Sequence, residues 1–313
     1  MAKNIAVKAG KVTWKEDQAK NKVLYLIFLP VFIYFLIFSY LPMAGIVSAF
    51  QDFNMRRGIF GSEWIGWENF EELFTGDSFG LVMRNTTMIA VLNMTIGFVV
   101  PIILAVLLSE VRSKVYKRTI QTISYMPYFV AAVVVTYLIR EFLSVNGAIT
   151  GLLSALGFDK QNWLANPNPP AFWFIMCFTE IWQGAGYGAI VYVSAIANVS
   201  NDIFEACAID GANRWQRFWK ITLPSIMPMV VMMFTIKAGT IFMTGYDKVL
   251  LLYMPSTYDL SDVLYTYTYR AAFSGSPNYG LSAASGLFQS VIATILMVIS
   301  NTMSRKLTST SLF

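Results

Sequence analysis

The sequence predicts an all-α polytopic membrane protein, and its hydrophobicity, its span lengths and the placement of its charges each support this fold class. Of the 313 residues, 56% are hydrophobic and only 13% are Asp, Glu, Lys or Arg. A soluble domain carries about 25% charged residues, so this chain is short of charge for a surface that faces water. The lipid bilayer is therefore predicted to be the solvent for much of the molecule.

Six apolar segments are long enough to cross the hydrocarbon core, which takes about 20 helical residues. They are predicted at Leu24–Phe50, Met83–Leu108, Ile120–Leu143, Phe172–Ala197, Ile226–Thr244 and Ser282–Met303. The first is expected to be a retained span, because the polar run before it is longer than the charged start of a signal peptide. The domain prediction is a cytoplasmic tail at residues 1–22 and a transmembrane domain at 23–313.

Lysine and arginine residues are concentrated on one side of the predicted spans. About fifteen of them fall in the N-terminal tail, in the second-to-third and fourth-to-fifth connections, and after the sixth span. The opposite loops hold about seven, together with many carboxylates. Because positively charged loops tend to stay in the cytoplasm, both termini are predicted to be cytoplasmic.

The chain contains no histidine, which removes His-based acid–base catalysis, Ser–His triads and His-ligated metals. The two cysteines, Cys177 and Cys207, lie in different segments and do not indicate a disulfide framework. No Gly-x-x-x-x-Gly-Lys-Ser/Thr run occurs, so ATP binding through a P-loop is not expected. The sequence thus predicts a non-catalytic chain without a metal or cofactor of its own, and nothing in it favours a nucleic-acid partner.

The connection between the fourth and fifth spans has the pattern of a helix, a turn and a second helix at the membrane surface. Residues 200–202 supply N-cap oxygens for the first helix. Gly211 can take the left-handed conformation that ends it. A second short helix is predicted from Asn213 to Ile221, and Pro224 suits the first turn of the fifth span.

This loop, at about residues 200–224, resembles the permease motif of ATP-binding-cassette (ABC) importers, which reads Glu-Ala-Ala, then Asp-Gly-Ala, then Ile-x-Leu-Pro. The matching residues are Glu205, Ala206, Asp210, Gly211, Ala212, Ile221, Leu223 and Pro224, and Asn213 and Arg214 follow the second group directly. Cys207 replaces the third residue of the first group and is similarly small. An amphipathic surface connector would explain the aromatic residues of this loop but not the Glu-Ala and Asp-Gly pairs at this spacing.

Further segments extend the resemblance over nearly the whole chain. Tyr25–Pro30, Gln121–Pro127 and Gly286–Gln289 are similar to the corresponding segments of sugar permeases, in particular those for polysaccharide fragments. The resemblance implies a type I ABC importer-like permease in the bacterial inner (cytoplasmic) membrane, among its lipids. Its expected partners are a second homologous permease, a dimer of ATPases that binds ATP and Mg²⁺, and an extracytoplasmic solute-binding protein. The implied substrate is an oligosaccharide, including acidic ones such as alginate or pectin fragments.

The resemblance also implies a mechanism of alternating access. The short helix that contains Glu205 would sit in a cleft of the ATPase and pass its closure to the pore. An ATP-independent secondary transporter or channel remains the alternative, and Glu180 and Lys237 would then have to form its midplane ion or proton site. A membrane-embedded enzyme is disfavoured because no histidine is present.

Two charges, Glu180 and Lys237, fall inside predicted spans, where a charge usually pairs or faces a water-filled cavity. Three interpretations stay open. The two residues pair with each other, Lys237 faces the pathway and meets an anionic sugar, or they pair with the partner permease. The other candidate pathway residues have polar or aromatic side chains that suit sugar contacts but equally suit helix packing. They are Asn93, Trp182, Gln183, Tyr187 and Tyr192.

The run Gly184-Ala185-Gly186-Tyr187-Gly188 superficially resembles a phosphate-binding loop. It lies within a predicted span and lacks a preceding strand and a Walker lysine. Small residues at this spacing are instead typical of close helix packing in membranes, which is the prediction for this segment.

Overall fold

The computed structural model describes residues 17–18, 20–166, 171–243 and 246–308, which are predominantly helical. Most of the predicted tail, residues 1–22, lies outside this described part. The helices are α1 (Lys22–Phe50), α2 (Gly58–Gly61), α3 (Glu68–Thr75), α4 (Phe79–Glu110), α5 (Lys114–Tyr125), α6 (Ala132–Leu143), α7 (Ala148–Ala155), α8 (Ala171–Ala197), α9 (Asn201–Ile209), α10 (Arg214–Gly239), α11 (Tyr246–Leu252), α12 (Tyr258–Ser261), α13 (Leu264–Phe273) and α14 (Tyr279–Thr308). Short strands β1 (Gln51–Asp52) and β2 (Glu63–Trp64) pair antiparallel around α2.

Five segments of the described chain are long and apolar enough to cross a membrane. They are Lys22–Phe50, Phe79–Glu110, Ala132–Ala155, Arg214–Gly239 and Tyr279–Lys306. The predicted fourth span corresponds to α8, which has 27 residues, including Glu180 and Gln183, and is not one of these five segments. The all-α fold is therefore confirmed, whereas the count of six spans and the side of the termini stay predictions.

The predicted third span, Ile120–Leu143, is not one helix. Helix α5 ends at Tyr125, a 3₁₀ turn covers Met126–Phe129, and Ala131 has extended backbone before α6 begins. Pro127 lies in this break, and proline lacks the N–H that a continuing helix would use. Irregular backbone at membrane depth is tolerated where it is buried in protein or lines a cavity.

Helices α4 and α8 pack along each other and carry much of the core. Toward the end of α4 that precedes α5, buried side chains of α4, α8 and α10 form one cluster: Ile102, Ala105, Ala189, Tyr192, Ile196 and Ile226. A second cluster lies around the start of α8 and includes Phe172, Met176 and Leu252. By contrast, residues 22–43 of α1 have no buried side chain, so this helix leaves the core and offers its apolar surface to lipid or to another protein.

The predicted packing role of the glycine run is correct for Gly186, the one of its three glycines at which a Cβ does not fit. A Cβ on Gly186 would collide with the backbone carbonyl of Ser124, and a Cβ on Gly188 would touch Pro101 at 3.5 Å. A Cβ on Gly184, in contrast, would have no neighbouring heavy atom within 4 Å. Gly186 therefore lets α8 approach α5 closely, and the run leaves an open space beside Gly184.

We expect Gly186→Ala to lower the thermal melting temperature of the detergent-solubilised protein, because overpacking a tight contact costs about 1–3 kcal/mol. The matched control is Gly184→Ala on the same helix, where the space is open and alanine favours helix by about 1 kcal/mol. The control should melt at or above the parent temperature. Equal melting of both variants would show that α8 does not need this close approach.

The segment between α11 and α13 is held in place by an ion pair and by a buried side-chain amide. Asp262 accepts two hydrogen bonds of 2.6 Å from the guanidinium of Arg270, which raise the pKa of Arg270 and keep it charged. The side chain of Asn85, at the start of α4, is fully buried and donates to the carbonyl of Asp262 at 2.9 Å. This anchoring sets the direction in which α11 returns toward α8.

Candidate functional site

A cavity of about 630 Å³ opens beside Gly184, between α4, α8 and α10. Its lining combines apolar side chains with polar and aromatic ones from three helices and from the α5–α6 break. The polar and aromatic members are Asn93, Phe98, Tyr128, Glu180, Tyr187, Tyr192, Lys237 and Thr240. The structure thus brings together five of the pathway residues predicted from the sequence, namely Asn93, Glu180, Tyr187, Tyr192 and Lys237.

The pairing of Glu180 with Lys237 that the sequence left open is not what the structure shows. Glu180 instead accepts a hydrogen bond of 2.5 Å from Lys248 of α11, and only 9% of the Lys248 side chain is exposed. Lys248 falls in a segment that the sequence analysis placed in an extracytoplasmic loop. Its position next to the apolar run Val249–Leu252 was the available signal that this segment turns back into the core.

Glu180 pairs with Lys248, and Lys237 makes no salt bridge with any described residue, although Glu180 is near enough to act on it electrostatically. The Nζ atom of Lys237 borders Gly97, and the Oδ1 atom of Asn93 borders the same glycine. Asn93 is 2% exposed, and its Nδ2 atom has no hydrogen-bond partner within the described part of the chain. The cavity therefore presents an ammonium group and an amide whose hydrogen-bonding capacity is not used up by the protein.

Two tyrosines form an aromatic wall at the α5–α6 break. The rings of Tyr128 and Tyr187 stack with centroids 4.0 Å apart at 6°, and each residue is 45% exposed. Sequence reasoning missed Tyr128, because it assumed an unbroken third span in which this residue had no special place. The break at Pro127 was the available signal.

Gln183 and Trp182 occupy different surroundings from the other candidates. Gln183 is buried, and its side-chain amide donates a hydrogen bond of 2.7 Å to the carbonyl of Val130. The α5–α6 break leaves this carbonyl without a helical hydrogen bond. It lines a smaller space of about 200 Å³ that shares Tyr128, Glu180 and Gly184 with the main cavity. Trp182 lines neither space and is 46% exposed, so the structure does not bring it to the cavity.

The loop at residues 200–224 carries the second group of candidate residues. Helix α9 begins after Ser200, whose side chain accepts from the N–H of Asp202. None of its residues is buried, and Glu205 and Ala206 are exposed while Cys207 is half-buried. Helix α9 is thus a short rod that lies on the surface of the protein.

The predicted end of this rod at Gly211 is correct. Gly211 has a φ angle of +74°, which favours glycine. The N–H of Ala212 donates to the carbonyl of Cys207 at 2.9 Å, and the N–H of Gly211 donates to that of Ala208 at 3.2 Å. These two bonds form the Schellman motif, which explains physically why the Asp-Gly-Ala sequence follows Glu-Ala at this spacing.

The predicted second short helix, from Asn213 to Ile221, is instead the beginning of the long helix α10. Asn213 caps it and forms a capping box with Gln216. A π-helical turn at Phe218–Thr222 precedes Leu223 and Pro224. Pro224 therefore lies in the first turn of the α-helical segment Leu223–Gly239, as predicted, and the π turn joins that segment to the start of α10.

Ion pairs tie the start of α10 to the end of α4. Glu110 approaches Arg217 at 3.3 Å and Arg214 at 3.9 Å. Ile209 and Trp215 are respectively 87% and 69% exposed. The loop therefore combines a braced base with an apolar outer face, which suits contact with another protein.

Comparisons with known proteins extend these observations. Residues 97–309 match the family described as "Binding-protein-dependent transport system inner membrane component". "Protein LplB" of Bacillus subtilis (strain 168) is 36% identical over 97% of this chain and 96% of its own length. The "Polygalacturonan/rhamnogalacturonan transport system permease protein YteP" of the same organism is 38% identical over 92% of this chain and 89% of its own length.

A solved structure is similar to the chain in both fold and sequence. It is the "Crystal structure of a bacterial ABC transporter involved in the import of the acidic polysaccharide alginate", with a TM-score of 0.86, 37% identity and coverage of 94% of this chain and 99% of that one. These matches confirm the predicted resemblance and the type I ABC permease fold. The chain belongs to the family of inner membrane components of binding-protein-dependent transport systems.

Proposed function

We propose that this chain is one permease subunit of an ATP-driven importer of oligosaccharides that contain uronate residues, in the bacterial inner membrane. The observation that carries the substrate class is Lys237, a lysine in the cavity wall that makes no salt bridge with any described carboxylate. A polygalacturonan permease and an alginate importer among the similar proteins support the same class.

The cavity suits a sugar chain in three ways. The exposed faces of Tyr128 and Tyr187 offer a surface on which a sugar ring can stack. The buried amide hydrogens of Asn93, which have no partner among the described residues, can donate to a hydroxyl or carboxylate oxygen that reaches them. Lys237 supplies the positive charge that a uronate needs when it leaves water. Each contact is specific in its chemistry but small in area, which suits a substrate that must also be released.

The other subunits follow from what this chain lacks and from its exposed surfaces. One such subunit would enclose half of a pathway, so a homologous second permease would complete it. Helix α9 would enter a cleft in an ATPase dimer that binds ATP and Mg²⁺. One structure similar to this chain is of an alginate transporter "in complex with alginate pentasaccharide-bound periplasmic protein", which supports a solute-binding protein as a further partner.

In this mechanism, ATP binding would close the ATPase dimer and bring the two α9 helices together. The cavity would then open outward to accept sugar, and ATP hydrolysis would reverse the change. The braced base at Glu110, Arg214 and Arg217 would carry the movement of α9 into α4 and α10, both of which line the cavity.

The test is to purify the chain from its native membrane, identify the subunits that accompany it, and measure ATP hydrolysis of the reconstituted complex with the binding protein. We expect a stoichiometric P-loop subunit and a stimulation of hydrolysis by oligouronates. Neutral oligosaccharides of equal length, which lack only the carboxylates, are the control. Absence of the P-loop subunit would refute the importer function, and equal stimulation by neutral sugars would refute the substrate class.

A further inference from the structure

A second cavity, of about 340 Å³, lies beneath α9 and shares no lining residue with the sugar cavity. Four of its lining residues are cations and one is a carboxylate: Arg112, Lys117, Arg214, Arg217 and Glu110. Three positive charges are therefore in excess. A cavity with this charge, at the end of a helix bundle near the membrane surface, favours an anionic ligand.

The cations are incompletely neutralised by the protein. Glu110 serves both Arg214 and Arg217, whereas Arg112 and Lys117 make no ion pair within the described part of the chain. In addition, the Nε atom of Arg217 is buried and has no hydrogen-bond partner among the described residues. A buried donor of a charged group costs free energy unless it is satisfied, so this atom points independently to a missing acceptor.

The remaining lining tells which kind of anion fits. Val193, Ile196 and Phe204 form apolar walls next to the cations. This arrangement matches a molecule with an anionic head and an apolar body. Arginine and lysine together suit phosphate, and basic pockets between transmembrane helices on the cytoplasmic side are known to bind phosphate headgroups of anionic lipids.

We propose that this cavity binds a phosphate-bearing anion, and the apolar walls favour the headgroup of an anionic phospholipid over free phosphate. The inference rests on the proposed placement of the α9 end of the protein at the cytoplasmic surface. The bound phosphate satisfies Arg217 and bridges the connection after α4, through Arg112 and Lys117, to the start of α10. It thereby fixes the base of α9, whose residues Asn201 and Phe204 also border the cavity.

The test measures lipid binding to the complete transporter in a neutral detergent by native mass spectrometry, with phosphatidylglycerol as the probe. The test variant is Arg112→Gln with Lys117→Gln. The matched control is Lys114→Gln with Arg118→Gln, which removes the same charge from the same stretch at exposed residues outside the cavity. Loss of one cation that contacts an anionic headgroup weakens lipid binding about fivefold. For the two cations of the test variant we therefore expect roughly 30-fold weaker phosphatidylglycerol binding, and in the control variant no such loss.

The other arms of the experiment identify the ligand. Neutral phosphatidylcholine should bind equally to the parent and both variants. Displacement of phosphatidylglycerol by millimolar inorganic phosphate would support the recognition of the phosphate group itself. Phosphate binding that depends on Arg112 and Lys117, without any lipid binding, would assign the site to the free anion.

Equal loss of phosphatidylglycerol in the test and control variants would overturn the inference, as would unchanged binding in both. Because the measurement requires neither ATP hydrolysis nor transport, either result leaves the proposed import function standing. Conversely, a transporter that binds lipid in this way but does not import oligouronates would refute only the proposed function.

Discussion

Replacing Glu205 by lysine should reduce oligosaccharide uptake at least tenfold while the protein still inserts into the membrane and assembles. Glu205 lies exposed on α9 and contributes nothing to the core, so its substitution should not unfold the chain. If α9 sits in a cleft of an ATPase that presents a cation to Glu205, reversing this charge places like charges together at the interface, which costs several kcal/mol. ATP hydrolysis should then continue without driving uptake.

The measurement is uptake of labelled substrate and ATP hydrolysis in the same proteoliposomes. A matched control is Asp202→Lys, which makes the same charge change on the same exposed helix but outside the Glu-Ala and Asp-Gly pairs. We expect the control to retain most of its uptake. Normal uptake in the Glu205 variant would contradict the proposed coupling role of α9. Equal loss of uptake in both variants would show that the net charge of α9 matters and the position of Glu205 does not.

The second large effect is expected at Lys237. Its replacement by methionine should lower uptake of acidic oligosaccharides by about 10- to 100-fold relative to neutral ones, because a hydrogen bond to a charged group contributes about 1.5–3 kcal/mol. Methionine keeps much of the volume and removes the charge. Glu180 should be little affected, since it is paired with Lys248 and not with Lys237.

This prediction is checked by competition between an oligouronate and a neutral oligosaccharide of equal length, at fixed binding-protein concentration. Lys237→Arg keeps the charge and is expected to keep the preference for the acidic substrate, at a lower rate because the guanidinium is larger. Equal losses for both substrates in Lys237→Met would contradict a charge-based selectivity and leave Lys237 a role in helix packing.

Much of the fold could be predicted from local sequence. Where the prediction fails, the failure has a physical cause. Long apolar runs predicted α1, α4 and α14, since each buries its backbone hydrogen bonds within itself. The prediction of one continuous helix for the third span was wrong, because hydrophobicity does not reveal where a helix breaks. The break depends on Pro127 and on the space that Gly186 leaves for the Ser124 backbone.

For the candidate site, the sequence predicted residues but not all of their partners. Asn93, Glu180, Tyr187 and Lys237 do line one cavity, as polar residues within spans are expected to do. The partner of Glu180 was not predictable, because Lys248 lies 68 positions away, in a segment that the sequence analysis placed outside the membrane. Trp182 was selected for its chemistry, but it lies on another face of α8.

The sequence by itself determined the membrane fold class, the family and the rod-and-turn geometry of α9. These depend on composition and on local hydrogen bonds, such as those that Gly211 permits because it has no Cβ. Only the tertiary structure decided that α11 returns to pair Lys248 with Glu180, that Lys237 lines the cavity without a salt bridge to any described residue, and that four cations meet beneath α9. Those outcomes depend on which helices pack together, and the cost of burying an unpaired charge then decides which side chains must find partners.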